Sequence, residues 1–201
     1  VRLPAINVDR GVYPLPDSVS FEEATFIEPL ACVLRGQRRA GFQPGQSVLV
    51  VGSGIAGLLH ISLARALGAG RVMATDVADY RLKAARRFGA EVALHASEAT
   101  PARLRQANDG RLPDLVVACT GAPQAIEQAL RSVERGGTVL LFAPTSPGVT
   151  IPFSVNDVMW GNDVTITTSY AGSPADHWAA LELIRAQRLP VAGMITHRLG
   201  L

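Results

Sequence analysis

Cysteine is scarce in this chain of 201 residues, which contains only Cys32 and Cys119. Both lie in apolar stretches and far apart in the sequence, so a disulfide framework is excluded as the basis of the fold. Reduced thiols of this kind are typical of proteins in a reducing compartment. We therefore expect a cytoplasmic protein.

Aromatic residues and net charge are also low, at 5% and +2. The only basic clusters, "RGQRR" (35–39) and "RLKAARR" (81–87), mix basic and apolar residues at helical spacing, as solvated helix faces do. A nucleic-acid-binding surface needs a broad basic patch with aromatic platforms. The sequence therefore argues against a nucleic-acid partner.

Long apolar runs are missing as well. No stretch approaches the roughly 18 apolar residues of a membrane span, and no signal-peptide pattern is present. We expect no membrane association. The chain begins with Val and stops just after "MITHRLGL" (194–201), so we expect a piece of a longer protein.

What the chain does have is a regular alternation of short apolar runs and helix-like segments. Strands are predicted at 47–52, 71–76, 91–96, 115–121, 138–144 and 164–170. Helices are predicted at 55–68, 79–88, 101–107, 123–133 and 175–187. Strands that are apolar on both faces and separated by helices indicate a parallel sheet covered on both sides. We predict an α/β fold, a doubly wound six-stranded parallel sheet of the Rossmann type with helices on both faces.

The two ends of this pattern differ from its middle. "VTITTSY" (164–170) alternates apolar residues with threonine, so we expect an edge strand with one polar face. That edge could pair across a dimer or remain solvated. Residues 1–19 contain three prolines and are predicted to be extended. Ser20 and Glu23 form a capping-box pattern, which predicts a helix start near Phe21.

A glycine-rich turn, "VVGSGIAG" (50–57), follows the first predicted strand and opens a helix. Asp76 ends the next strand about 20 residues further on, and this context predicts a dinucleotide-binding turn. Gly52 permits the tight turn, Gly54 lets the backbone approach a pyrophosphate, and Gly57 lets the helix pack close to the strand. Asp76 would accept hydrogen bonds from the ribose hydroxyls and repel a 2′-phosphate, which favours NAD over NADP.

Further cofactor contacts are predicted from positions in the turn and at strand ends. "ACTG" (118–121) and "FAP" (142–144) end the fourth and fifth strands, where a nicotinamide ribose and ring would extend. Arg81 could lie over the adenine or bind a 2′-phosphate, and a solvated helix arginine is the alternative. Thr120 could equally be an ordinary turn residue. The additional candidates are Ile55, Ala56, Arg81, Cys119, Thr120, Gly121, Phe142, Ala143 and Ser169.

Several segments of the chain resemble one enzyme family along almost all of its length. They are "SFEEATFIEPLACVLRG" (20–36), "GQSVLVVGSGIAGLLHISLARALGA" (45–69), "TDVADYRLKAARRFGA" (75–90) and "THRLGL" (196–201). These residues resemble the zinc-dependent medium-chain alcohol dehydrogenases, and within them the sorbitol (polyol) and threonine dehydrogenase branch. The resemblance implies oxidation of a secondary alcohol or polyol by hydride transfer to NAD, with a catalytic zinc. It also implies a homo-oligomer, either a dimer or a tetramer.

The resemblance has implications for domain organisation. In that family the cofactor domain is inserted into a separate catalytic domain, which carries a Cys and a "GHE" segment that bind zinc. Neither segment occurs here. The resemblance therefore implies a cofactor domain at 20–189, with 1–19 and 190–201 as crossings to a catalytic domain outside this chain. We expect the chain alone to bind NAD and to turn over little or nothing.

The histidines of the chain do not have the spacing of metal ligands. We expect His60 and His197 to be packing or surface residues. The four histidines are His60, His95, His177 and His197.

Glu28 in "FIEPLAC" (26–32) is a carboxylate on what reads as the apolar face of a helix, four residues before Cys32. The resemblance implies that Glu28 lies at the catalytic zinc, as a ligand or through a bound water, a role that suits an anionic oxygen. The alternative is a helix glutamate that turns outward at a break caused by Pro29.

Three other functions remain open at this point. A non-catalytic NAD(H)-sensing module and a zinc-free quinone reductase share the expected fold. A methyltransferase also pairs a glycine-rich turn with an acidic strand end, but its final strand is usually reversed. The particular alcohol is not indicated by the sequence.

Overall fold

The centre of the protein is a sheet of six parallel strands in the order β3-β2-β1-β4-β5-β6. The computed structural model describes residues 2–200. The strands are β1 (Ser47–Val51), β2 (Arg71–Asp76), β3 (Val92–His95), β4 (Leu115–Ala118), β5 (Thr138–Leu141) and β6 (Thr165–Thr168). The strand order reverses between β1 and β4, as in doubly wound sheets. The predicted fold is confirmed. The final strand, β6, is parallel to β5, whereas a methyltransferase would usually have a reversed final strand.

Helices connect the strands and cover the sheet. They are α1 (Ala5–Gly11), α2 (Phe21–Ala24), α3 (Ile27–Arg39), α4 (Ile55–Ala66), α5 (Asp79–Arg87), α6 (Pro101–Ala107), α7 (Pro123–Arg131) and α8 (Pro174–Arg185). A π-helical turn at Asn156–Trp160 and a 3₁₀ turn at Val191–Met194 complete the described elements. The predicted elements between residues 47 and 187 agree with these bounds to within a few residues.

The sheet separates two apolar cores. Strand β1 is buried along its whole length. Its alternate residues Val48 and Val50 pack with α3, α4, α5 and α8 on one face, whereas Leu49 and Val51 pack with α6 and α7 on the other. Successive side chains of a strand point to opposite faces, so burial on both faces accounts for the uninterrupted apolar run.

The N-terminal segment differs from the prediction. Residues 1–19 are not wholly extended, because Ala5–Gly11 form helix α1 without a buried side chain. Pro4 stands immediately before this helix at φ −59°, where a proline is compatible with a helix start. The capping box at Ser20 is confirmed, since its Oγ accepts from the Glu23 N–H and the Glu23 carboxylate accepts from the Ser20 N–H.

The helix predicted from Phe21 is divided into α2 and α3. Pro29 is the third residue of α3 and the helix continues through it. A proline in the first turn is tolerated because the N–H groups there have no intrahelical acceptor. The alternative prediction that the helix breaks at Pro29 is therefore wrong.

Strand β6 lies at the edge of the sheet, as predicted. Thr165 and Thr168 are exposed, and Ile166 and Thr167 are half-buried. Between residues 2 and 200, no helix combines the length and apolar character needed to cross a membrane.

Candidate functional site

The glycine turn joins β1 to α4 at the carboxyl edge of the sheet. Gly52 has φ +95°, a conformation that favours glycine. A Cβ on Gly57 would collide with the carbonyl oxygen of Gly52, so the close approach of α4 to the turn requires glycine there. A Cβ on Gly54 would meet no atom within 4 Å. The first and third glycines therefore shape the turn, and the second leaves its backbone open.

Asp76 ends β2 beside this turn and is 5% exposed. Its Oδ2 accepts a hydrogen bond from the Ser53 N–H at 2.8 Å, and its Oδ1 accepts one from the Ala78 N–H at 3.0 Å. The Arg81 guanidinium lies 3.7 Å from Oδ2. The carboxylate is thus fixed against the glycine turn, with one cation nearby. Hydrogen bonds to an ionised group are stronger than neutral ones.

The turn and Asp76 line a groove of about 530 Å³, which we call the first cavity. Arg81, Cys119 and Thr120 line it as well, so six of the predicted cofactor residues lie there when Gly52, Gly54 and Asp76 are included. Burial raises the pKa of the Cys119 thiol, which keeps this thiol neutral. The volume lies in the range of small-molecule and cofactor sites.

A second cavity of about 620 Å³ lies at the carboxyl ends of β5 and β6. The two cavities are neighbours at the glycine turn, because Gly54 lines the first cavity and the next residue, Ile55, lines the second cavity. The predicted residues that line the second cavity are Glu28, Ile55, Ala56, Phe142, Ala143 and Ser169. The Oγ atom of Ser169 is buried there with no hydrogen-bond partner among the described residues.

Glu28 stands at the second cavity in the first turn of α3. The expectation of an apolar, buried face is wrong for this residue, because Glu28 is exposed. Its position in the first turn suits a carboxylate, which the helix dipole stabilises. Glu28 and Cys32, which are four residues apart in α3, are in contact, since the Cys32 Sγ donates to Glu28 Oε1 at 3.1 Å. Burial, the hydrogen bond to Glu28 and the charge of Glu28 raise the pKa of Cys32 to about 11.

Gly121 is a predicted contact that lines neither cavity. A Cβ there would collide with the carbonyl oxygen of Pro144, so this glycine allows the loops after β4 and β5 to approach each other. Gly121 therefore has a packing role beside the two cavities.

Sequence reasoning missed several lining residues, among them two glutamines and a tyrosine. Gln124 and Gln128 on α7 line the first cavity, and Gln128 Nε2 donates to Ala96 O at 2.9 Å. Their four-residue spacing was the available signal, but helix glutamines usually indicate a solvated face. Tyr170 lines the second cavity and is 93% exposed; its place just after β6 was the corresponding signal.

The histidine expectations are confirmed, because His60 is buried in α4 and His197 is exposed. Over residues 2–200 there is no group of three or more His, Cys, Asp or Glu side chains arranged to hold a metal ion. This part of the chain therefore does not by itself fit a zinc ion.

The doubly wound sheet, the glycine turn and the fixed carboxylate at the end of β2 define a dinucleotide-binding domain of the Rossmann type. A family model described as zinc-binding dehydrogenase matches residues 56–186, more than half of the chain. The chain belongs to the zinc-binding dehydrogenase family.

Individual relatives agree with this assignment. Sorbitol dehydrogenase of Gallus gallus is 33% identical over 193 residues, covering 94% of this chain and 53% of that protein. Alcohol dehydrogenase TADH from Thermus sp. ATN1 has a TM-score of 0.82 and 29% identity over 91% of this chain and 54% of that one. A Sinorhizobium meliloti 1021 protein described as a zinc-binding dehydrogenase, solved with NADP, has a TM-score of 0.80 and 25% identity over 88% and 52%. The chain spans about half the length of the curated relatives it matches.

Proposed function

We propose that this chain binds a nicotinamide dinucleotide, with NAD preferred over NADP, as the cofactor-binding part of a zinc-dependent alcohol or polyol dehydrogenase. The observation that carries the proposal is the Asp76 carboxylate, fixed against the glycine turn at the wall of the first cavity. The residues present fit a dinucleotide. Gly54 leaves its backbone open to a pyrophosphate, and the unpartnered Ser169 hydroxyl offers a hydrogen bond in the second cavity.

The preference for NAD follows from the charge at the end of β2. A 2′-phosphate beside Asp76 would place like charges together, whereas a free ribose hydroxyl can donate to the carboxylate. Arg81 offsets part of this repulsion from 3.7 Å. The relative from Sinorhizobium meliloti is described as bound to NADP, so the preference of this chain rests on Asp76 and not on family membership.

Each cavity has a separate task in this proposal. The first cavity takes the adenosine half, with Asp76 on the ribose, and the glycine turn holds the pyrophosphate. The second cavity takes the nicotinamide, with Phe142 and Ala143 in its wall. When bound, the nicotinamide supplies the hydride acceptor. The protein's share is to hold that ring at the carboxyl ends of β5 and β6 and to shield it from water.

The NAD preference is tested by the Asp76→Ala variant. We expect NAD affinity to fall about tenfold or more, the order of a lost hydrogen bond to a charged group, and NADP affinity to fall less. Calorimetric titration of the parent and the variant with both cofactors measures this. Asp79→Ala is the matched control, because it removes an exposed carboxylate three residues after Asp76. An unchanged ratio of NAD to NADP affinity in Asp76→Ala would show that Asp76 is not the ribose anchor.

The zinc-dependent reaction is proposed from the family and from the position of Glu28. The other zinc ligands, and most of the alcohol pocket, would lie in a part of the protein outside this chain. Arg198 donates to both carboxylate oxygens of Glu22 at 2.6 and 2.7 Å. This pair holds the segment 190–201 against α2, three residues beyond the end of the segment 1–19, which supports their role as the two crossings.

The role of Glu28 is tested in the intact enzyme. We expect Glu28→Ala to lower zinc content or turnover of an alcohol or polyol, measured by metal analysis and NADH formation, because an anionic oxygen near the metal is lost. Glu182→Ala, on the far part of α8, serves as the control. The chain alone should bind NADH without appreciable turnover. Robust turnover by the chain alone, or full zinc content and activity in Glu28→Ala, would contradict this part of the proposal.

We also propose a homodimer that forms through the β6 edge. The outer side of β6 has no partner strand among the described residues. The preceding segment exposes Val155 and Trp160, which are 63% and 85% exposed. Exposed apolar side chains beside an open edge suit pairing with a second copy.

A cytoplasmic location completes the proposal. Cys32 and Cys119 are free thiols in the structure, which suits a reducing compartment. Recovery of the protein in a membrane or secreted fraction of its source cells would contradict it.

A further inference from the structure

Two polar side chains meet in the core beneath the second cavity. Gln37 of α3 and His60 of α4 are 1% and 0% exposed. Gln37 Nε2 donates to the His60 carbonyl oxygen at 2.9 Å and lies 3.3 Å from His60 Nδ1. Gln37 Nε2 can donate to Nδ1 in the tautomer that carries the ring proton on Nε2, which is the assignment that this contact favours. Burial lowers the pKa of His60 to about 3, so the ring is neutral at ordinary pH.

This pair is not fully satisfied. Neither His60 Nε2 nor Gln37 Oε1 has a hydrogen-bond partner among the described residues. Buried polar atoms without partners reduce stability, and each instance calls for an explanation. An apolar residue at position 60 would avoid this cost on the core-facing side of α4. His60 is therefore a candidate for a role in addition to packing.

The residue packed against the imidazole is Phe142. The two ring centroids are 4.6 Å apart with an interplanar angle of 85°, an edge-to-face arrangement. Phe142 also lies against α3 at Gly36, where a Cβ would come within 3.2 Å of the phenyl ring. Phe142 follows β5 directly and forms part of the wall of the second cavity. The core histidine thus contacts a residue of the site.

We propose that His60 is a positioning residue for the nicotinamide end of the cofactor. Gln37 fixes the imidazole, the imidazole and Gly36 fix the Phe142 ring, and the end of β5 that carries Ala143 is held with it. His60 itself does not touch the cofactor. The inference rests on the proposed function, because it assigns the nicotinamide to the second cavity and the adenosine half to the first.

The experiment compares NADH with ADP-ribose, which has the adenosine, the pyrophosphate and both riboses but no nicotinamide. Calorimetry gives both affinities for the parent and for His60→Leu, an apolar side chain of similar size. We expect NADH affinity to fall about two- to tenfold, the order of one edge-to-face aromatic contact, with ADP-ribose affinity changed less than about twofold. A role in stability alone would not change the ratio of the two affinities.

Phe142→Leu should produce the same selective loss, and the double variant should lose no more than about the larger single effect, since the two residues act through one contact. Leu104→Ala is the control. It opens a cavity in the core on the opposite face of the sheet, so it should lower stability and leave the ratio unchanged.

The possible results separate the two proposals. A parent chain that binds neither ligand refutes the proposed function, and the inference with it. A parent that binds ADP-ribose as tightly as NADH, or a His60→Leu variant with an unchanged ratio, overturns the inference alone. If His60→Leu does not fold, Phe142→Leu decides, and an unchanged ratio in that variant overturns the inference.

Discussion

Gly54 and Gly57 belong to the same turn, yet their surroundings are opposite. A Cβ at Gly57 would collide with backbone, whereas one at Gly54 would point into open space. Gly54 also has φ −70° and ψ −171°, which any residue adopts. At the scale of the residue, one glycine is therefore explained by folding alone. The other is left without a structural reason and is open to a functional one.

This contrast predicts different outcomes for two similar substitutions. Gly54→Ala should keep the melting temperature of the parent while NADH affinity falls about tenfold or more, because the methyl group would occupy the approach of the pyrophosphate. Gly57→Ala should lower the free energy of unfolding by about 1–3 kcal/mol through overpacking. Thermal melts and calorimetry measure both. Gly11→Ala, in exposed helix α1 with no neighbour within 4 Å, is the control. Undiminished NADH affinity in Gly54→Ala would remove the pyrophosphate role.

At the scale of the element, β6 is an edge strand whose outer side is not covered by another strand of the same chain between residues 2 and 200. Natural edge strands are usually protected by charges, prolines or covering segments. The described strand Thr165–Thr168 contains neither a charged residue nor a proline. The π-helical turn before it exposes Trp160.

The dimer predicted from this edge is tested by sedimentation. The parent should sediment as a dimer, and Trp160→Glu should weaken self-association about tenfold or more, since a buried unpaired charge would face the interface. The substitution replaces an exposed side chain, so the fold of each copy should be unaffected. Phe21→Glu, which changes an equally exposed aromatic residue on α2, should sediment like the parent. A monomeric parent would exclude the interface.

At the scale of the whole molecule, a helix or strand could be predicted where its burial produces a recognisable pattern of apolar residues in the sequence. The strands were predictable because burial on both faces produces uninterrupted apolar runs such as β1. Helix α1 was not, because none of its residues is buried and its sequence has no apolar periodicity. The π-helical turn also has no buried residue. The prediction that residues 1–19 are extended was wrong for the same reason, because helix α1 in this segment is not buried as the core elements are.

The candidate site divides along similar lines. The glycine turn and Asp76 were predictable because strand, turn and acidic residue are close in the sequence and follow one spacing rule. The meeting of His60 with Phe142, or of Glu28 with the second cavity, depends on how α3, α4 and β5 are placed against each other. Such contacts join residues far apart in the chain, and no local spacing indicates them.

Burial and the hydrogen bond from Cys32 to Glu28 together govern how this thiol in the wall of the second cavity reacts with electrophiles and oxidants. The thiolate is the reactive form of cysteine, and with the pKa of Cys32 at about 11 only about one thiol in ten thousand is ionised at pH 7. A partly exposed cysteine in the wall of a cavity would ordinarily be open to alkylation and sulfenic acid formation. Here burial, together with the neighbouring carboxylate, keeps the sulfur protonated, so the site carries a thiol that is chemically quiet.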